Sequence, residues 1–160
     1  MAGFQEVYEA HAKPVYRFLL RLTGDESMAE ELLQETFYQA FVHIDRFEGR
    51  SSLYTWLCQI GKNAGLKECR RQRRFTDEPW DDLRLTAGMP PEEQAIQDDE
   101  YRRIRQALLR LDEPYKEVFI LHVYGGLKRK EIAESQGKTE NWARVTYYRA
   151  KQKILREVSE

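Results

Sequence analysis

The stretch from Thr76 to Glu100, TDEPWDDLRLTAGMPPEEQAIQDDE, constrains the fold more than any other part of the chain. It holds nine acidic residues against one Arg, and three of the five prolines. Little apolar period runs through it, so it has too little surface to bury against the entropy of ordering a backbone. It reads as an acidic flexible linker, with a helix start only after Pro91. The 160-residue chain is thereby divided into residues 1–75, the linker 76–100 and residues 101–160. Two modules joined by a tether is the simplest organisation.

Both modules carry a helical period. Phe4, Val7, Tyr8, His11, Val15, Phe18, Leu19 and Leu22 fall on one stripe; Pro14 predicts a kink or a fresh start, and Gly24 a stop. Ser27 and Glu30 have capping-box spacing before a helix with Leu33, Phe37, Ala40, Phe41 and Ile44 spaced for a core. After the loop DRFEGRSS, Ser51 or Ser52 can cap a third helix that turns Leu53, Trp56, Leu57 and Ile60 inward and ends basic. In the second module, YRRIRQALLRL leads to Asp112-Glu113-Pro114, which suits a cap with Pro in the first turn. YKEVFILHVY, the most apolar stretch, should be buried and should end at Gly125-Gly126. LKRKEIAES, a turn at Gln136-Gly137 and a helix starting near Thr139 then form a helix-turn-helix, with small Ala133 at the crossing and Gly137 where positive φ is needed. Strand-like alternation is absent, so the fold class is all-α.

Several classes are excluded. Cys58 and Cys69 are eleven residues apart without further Cys or His at metal-ligand spacing, which removes disulfide and zinc readings; no cofactor is expected. His11, His43 and His122 lack a nearby nucleophile or metal-ligand pattern, so no catalytic residue is assigned. No apolar run approaches the roughly 18 residues of a membrane span, and mean hydropathy is −0.74, so a cytoplasmic chain without membrane insertion is expected.

The distribution of charge points to nucleic acid. The net charge is −1, yet residues 101–160 hold 14 basic residues against 8 acidic. In KTENWARVTYYRAKQK, Asn141, Arg144, Val145 and Tyr148 share a helical face that could meet base edges, while Arg149, Lys151 and Lys153 suit phosphate. Trp142 and Tyr147 read as core. From Lys62 to Arg74 six basic residues face only Glu68, beside Trp56; this arrangement suits melted strand, although a charge run is more often a solvated face.

AEELLQETFYQAF, FEGRSSLYTWLCQIGKN and CRRQRR resemble region two of bacterial RNA polymerase sigma factors. ALLRLDEPYKEVFILHVYGGLKRKEIAESQGKTENWARVTYYRAKQKI resembles region four. The absence of other sigma domains makes the chain similar to the extracytoplasmic-function (ECF) subfamily of the sigma-70 family. The resemblance implies a transcription initiation factor rather than an enzyme. It assigns Glu31, Gln34 and Glu35 to the β′ clamp helices of core RNA polymerase, and region four to the β flap. Phe47, Arg50, Ser51, Ser52, Trp56, Lys62 and Asn63 would capture the melted minus-ten element. The helix starting near Thr139, with Asn141, Arg144, Val145, Tyr148 and Arg149, would read the duplex minus-thirty-five element. An anti-sigma partner is also implied. Gln136 and Lys138 stand where the family pattern has apolar residues, Asn141-Trp142-Ala143-Arg144 replaces a Thr-Val-Lys type sequence, and Pro114 sits slightly late. The alternative is a stand-alone helix-turn-helix regulator, which would work without polymerase.

Overall fold

The computed structural model describes residues 3–76, 100 and 103–159, with side chains of 72–76 set aside. All regular structure among them is helical and falls in two groups. The linker at 76–100 lies almost wholly outside the described residues.

In the first group, α1 (Phe4–Thr23) packs with α2 (Glu26–Val42) and α3 (Leu53–Thr76). Pro14 lies inside α1 and opens no new helix; burial of Val15, Phe18 and Leu19 in the next turn offsets the hydrogen bond Pro cannot donate. Gly24, at φ 69°, ends α1 and returns its N–H to the Leu20 carbonyl at 2.7 Å. The next residue, Asp25, is therefore the first extended one and caps α2, its carboxylate accepting from the Met28 N–H at 3.2 Å. This corrects the Ser27 cap, because Ser27 already sits in the first turn. Phe41 and Ile44, expected in the core, are 60% and 39% exposed. Leu33, Thr36, Phe37 and Ala40 define the buried stripe; Phe41 lies about 100° past Ala40, and Ile44 follows the helix end in a short turn, Ile44–Arg46. Phe41 instead sets its ring edge-on to Phe4 at 5.2 Å. Ser52, one of the two expected caps, accepts from the Thr55 N–H at 3.2 Å and opens α3.

The second group begins with helical residues 103–110 (α4). Pro114 is the N-cap of α5 (Tyr115–Phe119) rather than a first-turn residue, because its ψ of 3° leaves the helical region; the Glu113 carboxylate caps the Glu117 N–H at 3.1 Å. A π-type turn, Ile120–Tyr124, follows and closes on Gly125. Val118, Phe119, Ile120 and Leu121 are buried, but the apolar stretch is not buried throughout as expected: Val123 is 45% exposed. Next come α6 (Arg129–Gln136), Gly137 at φ 67°, and α7 (Glu140–Ser159), with the Thr139 hydroxyl accepting from the Trp142 N–H at 3.1 Å. Buried Ala133 and Ala143 keep these two helices close.

The two groups pack together. The end of the π-type turn leaves carbonyls without helical partners, and the first group supplies donors: Arg21 to the Tyr124 carbonyl at 3.1 Å and the Tyr54 hydroxyl to the Gly125 carbonyl at 2.8 Å. From the other side, the buried Arg105 guanidinium donates to the Leu22 carbonyl. Gln59 donates to the Ser135 hydroxyl at 3.0 Å, and Lys62 pairs with Glu117 at 2.8 Å.

Candidate nucleic-acid interface

The outer face of α7 presents Asn141, Arg144, Tyr148 and Arg149 to solvent, with Val145 half-buried beside them. Tyr148 is 61% exposed. The Arg144 guanidinium donates to the Asn141 amide oxygen at 2.5 Å, which aligns two groups able to bond a base edge. Thr139 is exposed but its hydroxyl serves as the helix cap. The opposite face anchors the helix. Tyr147 stacks on Phe119 at 5.9 Å and meets His122 edge-on at 4.6 Å, while Trp142 packs against the core. Lys138, one departure from the family pattern, places its ammonium 5.9 Å from the Trp142 ring centre and so helps cover it. Lys153 does the same for Tyr115 at 5.0 Å, and Lys151 remains exposed.

In the first group, the loop before α3 folds back on that helix. Phe47 rests on Trp56 with ring centres 5.3 Å apart, both half-buried. Arg50 is exposed and pairs with Glu48 at 2.8 Å. Phe47, Arg50, Ser51 and Trp56 line a pocket whose far wall is Gln59 and Ser135. Trp56 also reaches a second, open groove between α2 and α3, shared with Asn63, Ile60, Arg46 and Lys67. Ser52 is engaged as a cap. Lys62, expected on promoter phosphate, is only 5% exposed and faces Glu117. Its register explains this: Gln59 and Lys62, three apart on α3, both turn toward the second group. In the basic tail, Arg71 clamps Glu68 at 2.7 Å and holds that carboxyl below its ordinary range by hydrogen bonding, leaving Lys67 and Arg70 exposed.

On α2, Glu31, Gln34 and Glu35 are exposed, opposite buried Leu33 and Phe37. Gln39 donates to Glu35 at 2.8 Å. The same stripe continues into Tyr38, 61% exposed, which the reading of the sequence passed over although it is four residues from Gln34. Glu117, Ser135 and Gln59 were also missed. Residues 55 and 76 positions apart make those contacts, and no local signal marks them. Among the described residues no group of His, Cys, Asp and Glu could hold a metal, and no helix is long and apolar enough to cross a membrane.

The chain matches Sigma-70 region 2 over residues 7–75 and Sigma-70 region 4 over residues 101–154. It is 30% identical to the ECF RNA polymerase sigma factor SigX of Bacillus subtilis (strain 168), covering 96% of this chain and 82% of the relative. For SigM of the same organism the figures are 29%, 93% and 91%. The structure of CnrH in complex with the cytosolic domain of CnrY shares the fold at a TM-score of 0.58 and 20% identity, covering 98% of this chain and 87% of that one. With region 2 in the first helical group and the helix-turn-helix of region 4 in the second, the chain belongs to the ECF sigma factors of the sigma-70 family, which direct RNA polymerase to promoters and are not enzymes.

Proposed function

We propose that this sigma factor divides its work between three surfaces. Residues 1–75 act as the module for core polymerase and the minus-ten element, and residues 101–160 as the module for the minus-thirty-five element. Glu31, Gln34 and Glu35 dock on the β′ clamp helices; region 4 meets the β flap. Phe47, Arg50, Ser51, Ser52, Trp56, Lys62 and Asn63 form the minus-ten surface, where a splayed base stacks on aromatic rings and cations track the strand. Thr139, Asn141, Arg144, Val145, Tyr148 and Arg149 lie on the minus-thirty-five duplex. Work in the cytoplasm and control by an anti-sigma protein belong to the same reading.

The observation that carries it is the outer face of α7, where Asn141, Arg144 and Tyr148 stand exposed on a helix anchored by Trp142 and Tyr147. Phosphate contacts position a protein on duplex, whereas base-edge contacts specify the sequence. Run-off transcription with core polymerase on a promoter library tests both levels. The wild type should initiate only from promoters with a shared minus-thirty-five element. Arg144→Ala should change the preference at one or two of its bases by about 1–3 kcal/mol. A uniform loss across all sequences would make Arg144 a phosphate contact and remove that face as the reader.

A further inference from the structure

Asn141 is the second residue of α7 and lies opposite the stripe that anchors this helix. At about 100° per residue it stands about 180° from the middle of buried Ala143, Thr146, Ala150 and Ile154. It is therefore at the crest of the outward face, in the N-terminal turns that meet base edges when such a helix enters a major groove. Its amide is already engaged. The Arg144 guanidinium, one turn on, donates through Nη2 to the Asn141 Oδ1 at 2.5 Å. Because Arg offers donors only, the amide oxygen and not the nitrogen must face it. An Asn on its own reads adenine by accepting from N6 and donating to N7. Here a positive charge sits at the accepting atom and repels the N6 amino hydrogens. What the pair still offers is donors: the other guanidinium N–H groups and the Asn141 Nδ2. Glu140 is exposed on the flank, about 100° round from Asn141, and restores no acceptor at the crest.

An edge made of donors fits one base. Guanine alone shows two acceptors side by side in the major groove, O6 and N7; adenine and cytosine present an amino group there, and thymine one oxygen beside a methyl. We infer that Asn141 and Arg144 read a single guanine of the minus-thirty-five element as a unit, Arg144 donating to O6 and N7 while Asn141 holds the guanidinium in place. This rests on the proposal above that the outer face of α7 reads that duplex. Arg144 is then the base contact and Asn141 a positioning residue, whose loss frees a long side chain and blurs the choice of base. The replacement of a Thr-Val-Lys type sequence by Asn141-Trp142-Ala143-Arg144 acquires a meaning here. It sets a carboxamide three residues before a guanidinium, where the two meet on one helical face.

Transcription by core polymerase with the full chain, from promoters randomised over the minus-thirty-five element, reads the unit. Wild type should favour guanine over adenine at one position by at least about tenfold. Asn141→Ala and Arg144→Ala should each flatten that same position to within about threefold, and the double variant should flatten it no further. Both side chains are exposed, so helix content by circular dichroism should not change. Asn141→Asp keeps an oxygen for Arg144 and should retain the guanine preference, while its added charge near phosphate lowers output from every promoter. 7-Deazaguanine at that position removes only the N7 acceptor; it should cost wild type most of its preference and Arg144→Ala nothing. Preferences lost at two separate positions, guanine in Arg144→Ala and adenine in Asn141→Ala, with losses that add, overturn the unit and leave α7 as the reader. A wild-type preference for adenine at the shared position overturns it as well. Uniform loss over all sequences in both alanine variants overturns the role of α7 itself, and the inference with it.

Discussion

Tyr54 touches both modules at once. Its hydroxyl donates to the Gly125 carbonyl at 2.8 Å and lies against the thiol of Cys58, which is fully buried. Burial pushes that thiol up to about 12, outweighing the lowering effect of the neighbouring Tyr54 hydroxyl. A thiol raised in the folded state favours folding while it stays protonated. Its contribution is complete below the free-thiol range near 9.0 and is lost as pH climbs toward 12. Burial raises Tyr54 as well, so both groups penalise the folded state at alkaline pH. In a Cys69→Ala background we expect Cys58 to react with iodoacetamide at pH 8 at least about 100-fold more slowly than in urea, since nucleophilicity requires thiolate and access. Equal rates would mean that the thiol is not sealed at this seam. Spacing removed Cys58 from disulfide and zinc chemistry without telling a packed thiol from a surface one; its nearness to the second module was not legible either, because Gly125 is 67 residues away.

At the scale of elements, α3 is both a core helix and the carrier of Trp56, Lys62 and Asn63, which we propose for the minus-ten surface. Gly61 and Gly65 let it approach α1 and α2 closely. A Cβ at Gly61 would lie 3.2 Å from Leu19 Cδ2 and 3.3 Å from Thr36 Oγ1, and the Thr36 hydroxyl is tied to the Leu32 carbonyl at 2.6 Å. Gly61→Ala gains about 1 kcal/mol of helix propensity, yet crowding on two sides should turn this into a net loss of about 1 kcal/mol, read as a lower urea midpoint at unchanged slope. The exposed face of α2 yields a different expectation: Gln34→Ala with Glu35→Ala should weaken binding to core polymerase without changing helix content. Unchanged affinity in a core-binding titration would remove that surface. Among the described residues α1, α2 and α3 were visible in the apolar period, because each buries one stripe, whereas the short turn at Ile44–Arg46 and the π-type turn carried no such signal. Ends and edges were less visible. Asp25 displaced Ser27 as a cap because Gly24 turns the chain sharply, and Phe41 left the core because one helical step carries it off the stripe. The exposed face of α7 was legible from spacing alone, whereas the burial of Lys62 against Glu117 was not, because its partner lies 55 residues away.

For the whole molecule, charge and packing act together. A near-neutral total of −1 conceals 14 basic residues in 101–160 behind nine acidic ones in 76–100. We expect neutralisation of Asp77, Glu78, Asp81 and Asp82 to amides to raise duplex affinity of the free protein several-fold at low salt, as measured by filter binding, because carboxylates tethered to a basic module compete with phosphate for its Lys and Arg. No change would mean that the acidic stretch lies beyond screening range of α7. Glu117 has a wider consequence. In the packed arrangement Lys62 is buried against Glu117, so any ligand of the Lys62 ammonium binds only after the two groups of helices part. If the packed form outnumbers the parted one by about a hundredfold, such a ligand binds about a hundredfold more weakly than its intrinsic affinity. By thermodynamic reciprocity a ligand that parts the groups and a ligand that needs them parted tighten each other's binding by the same factor, though the two never touch.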